Sequence, residues 1–235
     1  MQDSGRNLTY QLAHQLGAAI VQGEYAVDKA FPTEAELSGQ FNISRSVTRE
    51  AVKMLTAKGL IASRPRQGIR VMPGSHWNMF DADVLSWTLD ARPSLPLLKE
   101  FTQLRMAIEP EAASLASAYS DDSVKMDAIA AALARMKKAD AGEDDALAAD
   151  IAFHCAILAA SNNRFFFQLR DFIQVALRVS IANTNQLKGV LNASYDDHKK
   201  VYDAIAAGDG DRAAGYMKSL LIEALDLINH SLSEK

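Results

Sequence analysis

The sequence predicts a mainly α fold in two parts: a small N-terminal domain with one short hairpin, then an all-helical antiparallel bundle. Alanine, leucine and isoleucine recur at three- and four-residue spacing from Phe80 to the end of the chain, which is typical of helices that pack on one another. Ahead of that region, helical segments lead into two short β-prone runs around a basic turn. A chain of 235 residues is long enough for two such domains, each with its own core.

The N-terminal domain begins with two predicted helices. Residues 8–22 carry an apolar stripe at helical spacing, and Gly23 ends the first helix. Thr33 is followed three residues later by Glu36, which is the spacing of a capping box. A second helix should therefore begin directly after Thr33 and run to about residue 41.

A third helix and a hairpin complete this domain. Ser44 can cap a helix over residues 45–58, and Gly59 ends it. Its first turns carry arginines and hydroxyls, which suit the base edges and phosphates of the DNA major groove. Residues 60–71 then form two β-prone runs around a basic turn that contains proline and glycine. The whole arrangement predicts a winged helix-turn-helix that binds DNA.

Residues 32–71 resemble the N-terminal domain of GntR-type bacterial transcriptional regulators in their Pro-Thr-Glu, Ser-Arg and Arg-Glu-Ala motifs and their wing glycine. The resemblance implies that Arg45, Thr48 and Arg49 contact a double-stranded DNA operator and that Gly68 lies at the wing tip, close to the minor groove. An isolated arginine pair is more often a solvated helix face, but the cap, turn and wing together favour DNA binding. The candidate DNA-binding residues are Thr33, Glu34, Ser44, Arg45, Ser46, Thr48, Arg49, Arg66 and Gly68.

Charge is unevenly distributed along the chain, whose net charge is -4. Residues 1–73 hold nine Lys+Arg against six Asp+Glu, whereas residues 74–235 hold sixteen against twenty-three. A basic small domain joined to an acidic larger one is consistent with one nucleic-acid face and one ligand module. The lone Cys155, the polar N-terminus and the lack of a long apolar run indicate a cytoplasmic protein with no disulfide framework and no membrane segment.

Pro73 and Gly74 discourage regular structure, so the domain boundary is predicted there. We expect a winged helix-turn-helix over residues 1–73, a linker and connecting helix over residues 74–94, and a helical effector-binding and dimerisation domain over residues 95–235. The helices after the boundary are predicted near residues 82–89, 95–119, 123–141, 145–160, 164–187, 192–207 and 209–231.

A carboxylate and two histidines form a candidate metal site in the bundle. Asp150 and His154 stand four residues apart on one predicted helix, so their side chains share a face, and His198 lies on a later helix. Such side chains can converge on a divalent metal in a bundle core. By itself, a carboxylate and a histidine at this spacing more often form an ion pair.

Two stretches of the bundle resemble the FCD ligand domain of the FadR subfamily: residues 150–163, and the later Asp-His-Lys-Lys run with its Ala-Ile-Ala-Ala-Gly-Asp sequence. The resemblance implies a divalent metal, Zn, Ni or Mn, held by one aspartate and three histidines, with an effector acid bound to it. Asp150, His154 and His198 match the first three ligand positions, but Leu220 stands at the fourth. Either effector and water complete a three-ligand site, or the site holds no metal.

The resemblance also implies that Arg105 points toward the carboxylate of the effector, for which a guanidinium is well suited. The alternative is an ion pair with Glu109, four residues further on. Residues 76–87 resemble the linker of galactonate-responsive regulators, which implies a sugar acid as effector. Further candidates for effector binding are Arg178, Asn183 and Asn185.

The sequence leaves three hypotheses about the function of the protein. The first is a regulator, a homodimer that binds a palindromic operator and is released from it by a small carboxylic acid such as an aldonate. The second is a regulator that senses the metal without any organic acid. The third is a metal-dependent hydrolase, which would lack an obvious general base and leave the DNA-binding domain unexplained; we therefore expect no enzyme.

Overall fold

The computed structural model describes residues 2–64, 68–91, 94–188 and 194–233, and for residues 2–7, 64 and 181–188 it describes the backbone alone. The chain divides into two compact units, Met1–Pro93 and Ser94–Lys235. The first is a winged helix and the second is all-helical in its described part, which confirms the predicted fold class. No described helix combines the length and the apolar character needed to cross a bilayer.

Over its described residues, the first unit consists of four helices, a hairpin and a short 3₁₀ turn. Helices α1, α3 and α4 and the hairpin enclose its core, and α2 packs on α3. The elements are α1 (Gln2–Gln22), α2 (Glu34–Phe41), α3 (Arg45–Ala57), β1 (Ile61–Arg64), β2 (Gly68–Val71), the 3₁₀ turn (Gly74–His76) and α4 (Ala82–Ala91).

Both predicted caps of the helix-turn-helix are confirmed. The Thr33 hydroxyl accepts a hydrogen bond from the Glu36 N–H, and the Glu36 carboxylate accepts one of 2.7 Å from the Thr33 N–H. The Ser44 hydroxyl accepts a hydrogen bond from Val47 at the start of α3. Between the helices, Asn42 takes a left-handed conformation (φ 51°), which ends α2 and turns the chain into α3.

The wing is an antiparallel pair in which Ile61 lies opposite Val71. The chain ahead of α2 runs along β2, because the Phe31 N–H donates to the Ile69 carbonyl at 2.8 Å. Gly68 opens β2 with φ +74°, a conformation that side chains with a Cβ rarely adopt. The described wing is therefore held by the chain on both sides of the helix-turn-helix, because β1 follows α3 and the segment ahead of α2 is bonded to β2.

The segment after the wing belongs to the first unit, whereas the sequence placed a boundary at Pro73 and Gly74. The Asn78 N–H donates to the Lys58 carbonyl, and the Lys58 ammonium lies 2.7 Å from Asp81 and 2.9 Å from Asp83. Burial would lower the pKa of Lys58, but the two carboxylates outweigh it and raise that pKa. Contacts distant in sequence thus hold the predicted linker and α4 on the DNA-binding unit.

The second unit consists, over its described residues, of six helices whose bounds agree with the prediction to within a few residues. Helix α5 packs along α10, and α7 lies between α6 and α8 while also contacting α5. Helix α9 contacts α5, α6 and α10, so α5, α7 and α9 bring side chains toward one another in the interior. The helices are α5 (Leu95–Ser117), α6 (Ser123–Asp140), α7 (Ala146–Ala160), α8 (Arg164–Lys188), α9 (Tyr195–Ala206) and α10 (Gly210–Ser233).

Candidate functional site

The first turns of α3 present an exposed basic surface, as a DNA-reading helix requires. Arg45, Ser46 and Arg49 are exposed, next to the capping Ser44. The Arg49 Nε atom lies 3.5 Å from a carboxylate oxygen of Glu34, and its side chain stays 60% exposed. A surface pair of this kind is weak, so Arg49 can exchange Glu34 for a phosphate or a guanine edge at little cost.

Thr48 corrects the predicted DNA-binding set. Its side chain is fully buried, and its hydroxyl donates to the Ser44 carbonyl at 3.2 Å. The buried face of α3 consists of Thr48, Ala51, Val52 and Leu55, so Thr48 faces the core and not the solvent. A side chain packed in the core cannot reach an operator, and the predicted contact of Thr48 is wrong.

The other described members of the predicted DNA-binding set are at least partly exposed. Thr33 is exposed and part of the capping box, Glu34 is partly exposed, and Gly68 is exposed at the start of β2. Arg66 lies outside the described residues. Contact of these residues with DNA stays a prediction.

The three predicted metal ligands come together in the interior of the helical unit. Asp150 and His154 lie on α7 and His198 on α9, and each is about 95% buried or more. One ligand atom from each of them lies within 4.8 Å of the others. The Asp150 Oδ1 atom is 3.2 Å from the Nε2 atom of both histidines, yet neither contact has the geometry of a hydrogen bond. The Asp150 Oδ1 and His198 Nε2 atoms are consequently buried without a hydrogen-bond partner.

The other nitrogen of each imidazole ring is already engaged. The His154 Nδ1 atom lies 2.8 Å from Glu109 Oε2, and the His198 Nδ1 atom lies 2.7 Å from the Ser194 carbonyl. Both partners are acceptors, so Nδ1 carries the proton in a neutral ring and the lone pair stays on Nε2. Two Nε2 lone pairs and one carboxylate oxygen thus face a common point, which is a suitable donor set for a divalent transition metal.

Glu109 and Arg105 on α5 adjoin this cluster. The Arg105 Nε and Nη2 atoms donate to the two carboxylate oxygens of Glu109 at 2.6 and 3.2 Å, and both side chains are buried. The Arg105 Nη2 atom also lies 3.3 Å from His154 Nε2. Arg105 therefore lies beside the cluster and forms the ion pair with Glu109 that was the alternative, while its contact with an effector stays a prediction.

The electrostatics of the cluster favour a bound cation. Burial opposes ionisation of Glu109, but Arg105 and His154 outweigh it and lower the pKa of Glu109 to about 2. Burial would likewise raise the pKa of Asp150, yet the neighbouring imidazoles keep that pKa well below its ordinary value. For His154, burial disfavours the charged ring, but Glu109 outweighs it and raises the pKa to about 8. Two ionised, buried carboxylates stabilise positive charge at this point.

Leu220 and Arg178 lie outside the buried cluster. Leu220 is only partly buried and lines a surface cleft together with Asp197 and Lys200, so it supplies no fourth ligand. Arg178 is exposed on α8, and its effector contact stays a prediction. The side chains of Asn183 and Asn185 lie outside the described residues.

Two contacts of the cluster were not predicted from the sequence. Glu109 was considered only as a partner of Arg105, because the four-residue spacing shows that pair but not the approach of α5 to α7. The Ser194 carbonyl that engages His198 comes from the N-cap of α9, four residues ahead of the histidine. A histidine four residues after the capping serine of a helix is the local signal that could have indicated this hydrogen bond.

A winged helix with exposed arginines and a helical unit with a buried metal-ligand set define a DNA-binding regulator with a ligand-binding domain. Comparison with known families agrees: the chain matches the gntR family of bacterial regulatory proteins over residues 8–71 and the FCD domain over residues 100–223. The chain belongs to the GntR family of transcriptional regulators and carries an FCD domain. Membership of this family makes the protein a regulator and not an enzyme, so the hypothesis of a metal-dependent hydrolase is wrong.

Relatives with full-length similarity are also regulators. The chain is 34% identical to the uncharacterised HTH-type transcriptional regulator YieP of Escherichia coli K12, over 92% of this chain and 93% of that protein. It is 32% identical to the galactonate operon transcriptional repressor of the same organism, over 88% and 90% respectively. Among solved structures, Lar of Listeria monocytogenes shares the fold, with a TM-score of 0.58 at 18% identity over 94% of this chain and 96% of that one.

Proposed function

We propose that this regulator is a repressor of genes for sugar-acid breakdown, and that a small carboxylic acid such as an aldonate releases it from its operator. The acid would bind in the helical unit, beside a divalent metal ion held by Asp150, His154 and His198. The galactonate operon repressor, at 32% identity, supports a sugar acid as the effector class.

The buried cluster carries this proposal. The Asp150 Oδ1 and His198 Nε2 atoms lie 3.2 Å apart and have no hydrogen-bond partners. Burying such polar atoms without a partner costs free energy. A metal ion would satisfy both, together with the Nε2 atom of His154. The Nδ1 contacts to Glu109 and Ser194 already orient the two rings for ligation.

An open coordination position would give the metal its role in recognition. Among the described residues three can act as ligands, and so few protein ligands leave positions for water or effector oxygens. A bound metal would supply a Lewis acid that attracts the carboxylate and neighbouring hydroxyl oxygens of the acid. Arg105, which lies against His154, would add a donor on one side of the bound acid.

The test is operator release measured by mobility shift, with galactonate as the acid and Zn²⁺ or Mn²⁺ as the metal. We expect galactonate to release the operator from metal-loaded protein and to have no effect after chelation. His154→Ala should abolish the response while operator affinity without acid stays within about twofold, since His154 lies in the other unit. His230→Ala, an exposed histidine on α10, is the matched control and should respond like the wild type.

A regulator that senses the metal alone is the second candidate, and one observation favours it. Arg105 is engaged by Glu109 through two hydrogen bonds, so this guanidinium already has a carboxylate partner without any effector. If metal alone released the operator and a panel of sugar acids had no further effect, this second function would replace the first.

A further inference from the structure

The charge of the buried cluster restricts which acids it can hold. Among the described residues of the helical unit, the buried ionisable groups are Arg105, Glu109, Asp150 and the two histidines of the metal set. Two carboxylates and one guanidinium leave one negative charge when both imidazoles are neutral, as metal ligation requires. A divalent cation would change this total to one positive charge.

An uncompensated charge in a protein interior is costly, so a bound effector is favoured when it brings the total to zero. One carboxylate does so in the metal-loaded site, whereas two carboxylates would leave a net negative charge. Arg105 has only its remaining N–H groups to offer an effector, too few to pair with a second effector carboxylate, because Glu109 already accepts from its Nε and Nη2 atoms at 2.6 and 3.2 Å.

We propose that Glu109 determines the effector's charge: its resident carboxylate beside Arg105 makes the metal-loaded site accept a monocarboxylate and reject the dicarboxylate of the same carbon skeleton. This inference rests on the proposed function, since it assumes that an acid binds beside a metal at Asp150, His154 and His198. Glu109 differs from Asp150 in that its oxygens face Arg105 and the Nδ1 atom of His154, so it acts on the effector through charge and not through ligation.

The test compares galactonate with galactarate, which has the same stereocentres but carries a second carboxylate in place of the terminal CH₂OH group. Binding of each acid to full-length protein, loaded with Zn²⁺ or Mn²⁺, is measured by calorimetry. We expect wild-type protein to bind galactonate at least about tenfold more tightly than galactarate, which corresponds to about 1.4 kcal/mol.

Three variants separate the charge of Glu109 from its structural contacts. Glu109→Gln keeps the size of the side chain but removes its charge, and should reduce the preference for galactonate about tenfold or more. Glu109→Asp keeps the charge and should keep the preference. Glu111→Gln removes an exposed carboxylate from the same helix and should leave the preference unchanged. Metal content and the unfolding midpoint of each variant, measured in parallel, show whether the site is still formed.

The outcomes distinguish this inference from the proposed function. If neither acid binds to the metal-loaded wild type, the proposed function is wrong, and so is the inference that rests on it. If galactarate binds wild-type protein as tightly as galactonate, the inference alone is wrong, whether or not Glu109→Gln folds. The same holds if metal-loaded Glu109→Gln retains the full wild-type preference.

Discussion

At the scale of single residues, the hydrogen bond at one ring nitrogen of a histidine decides what the other nitrogen can do. Glu109 and the Ser194 carbonyl engage the Nδ1 atoms of His154 and His198, which leaves the Nε2 atoms of both rings facing Asp150 and available to a metal ion. Such outer partners typically change metal affinity by about 10–100-fold. Burial raises the pKa of the Cys155 thiol to about 11, and its sulfur lies 3.9 Å from the Arg170 carbonyl and is not part of the metal-ligand set.

Arg45 and Arg49 are predicted to contribute most to operator affinity. Both are exposed on the first turns of α3, where a guanidinium can form paired hydrogen bonds with a guanine edge. Each change to alanine should cost about 1–3 kcal/mol of operator binding if the contact is to a base. Mobility shifts at fixed salt measure this, with Arg212→Ala on the helical unit as the control. Unchanged affinity in both variants would contradict the assignment of α3 as the reading helix.

Thr48 provides the opposite test on the same helix. Because its side chain is fully buried and its hydroxyl is bonded to the Ser44 carbonyl, Thr48→Val should preserve the packing and leave operator affinity within about twofold. A small loss of stability is expected, about 1 kcal/mol, from the lost hydrogen bond. A large loss of operator affinity in a variant that unfolds normally would return Thr48 to the DNA-contacting set.

At the scale of elements, the sequence predicted most of what local chemistry determines. The capping box at Thr33, the cap at Ser44 and the bounds of α5 to α8 follow from residues a few positions apart. The burial of Thr48 was missed because a threonine looks polar in sequence, although a hydroxyl that donates to the carbonyl four residues earlier can be buried.

The attachment of the segment after Pro73 was missed for a different reason. Proline and glycine do interrupt regular structure there, but the contacts that return the chain to the first unit are distant in sequence. Lys58 meets Asp81 and Asp83, and α4 packs on α1 through Trp87. The approach of Glu109 to His154 is non-local in the same way, because it depends on how α5 packs on α7.

Gly17 tests the packing of α1 on α4. A Cβ atom at Gly17 would lie 2.3 Å from the indole ring of Trp87, which is itself buried, so one helix must move. Gly17→Ala should destabilise the first unit by about 1–3 kcal/mol, as overpacking does in other cores. Thermal unfolding of the full chain measures this effect.

Gly39→Ala is the matched control for that change. Gly39 lies within α2, and a Cβ atom there meets nothing within 4 Å. The substitution should raise stability slightly, by up to about 1 kcal/mol, through helix propensity. Equal unfolding midpoints for the two variants would show that the contact of Gly17 with Trp87 does not limit the packing.

At the scale of the whole molecule, the negative charge lies in the second unit: residues 1–93 hold ten Lys+Arg against nine Asp+Glu, residues 94–235 hold fifteen against twenty, and the two units have separate cores. The first contains the gntR-family DNA-binding domain, and the second holds the candidate effector site. The residues of the buried cluster all lie in the second unit, so a response to an effector bound there requires coupling between that unit and the DNA-binding unit. Such coupling requires that the protein have two conformational states with different operator affinity, and that the effector bind one of them more tightly.

The last prediction is therefore a homodimer that reads a short palindrome. One winged helix makes a small footprint, and modules of this kind usually gain affinity by binding two half-sites about one helical turn, ~34 Å, apart. Light scattering at operator-binding concentrations should give about twice the mass of the 25.6 kDa chain. Lengthening the spacer between half-sites by about half a helical turn, ~5 base pairs, should weaken binding strongly, because the second unit would then face the wrong side of the duplex. A monomeric mass, or affinity indifferent to half-site spacing, would show that one winged helix suffices.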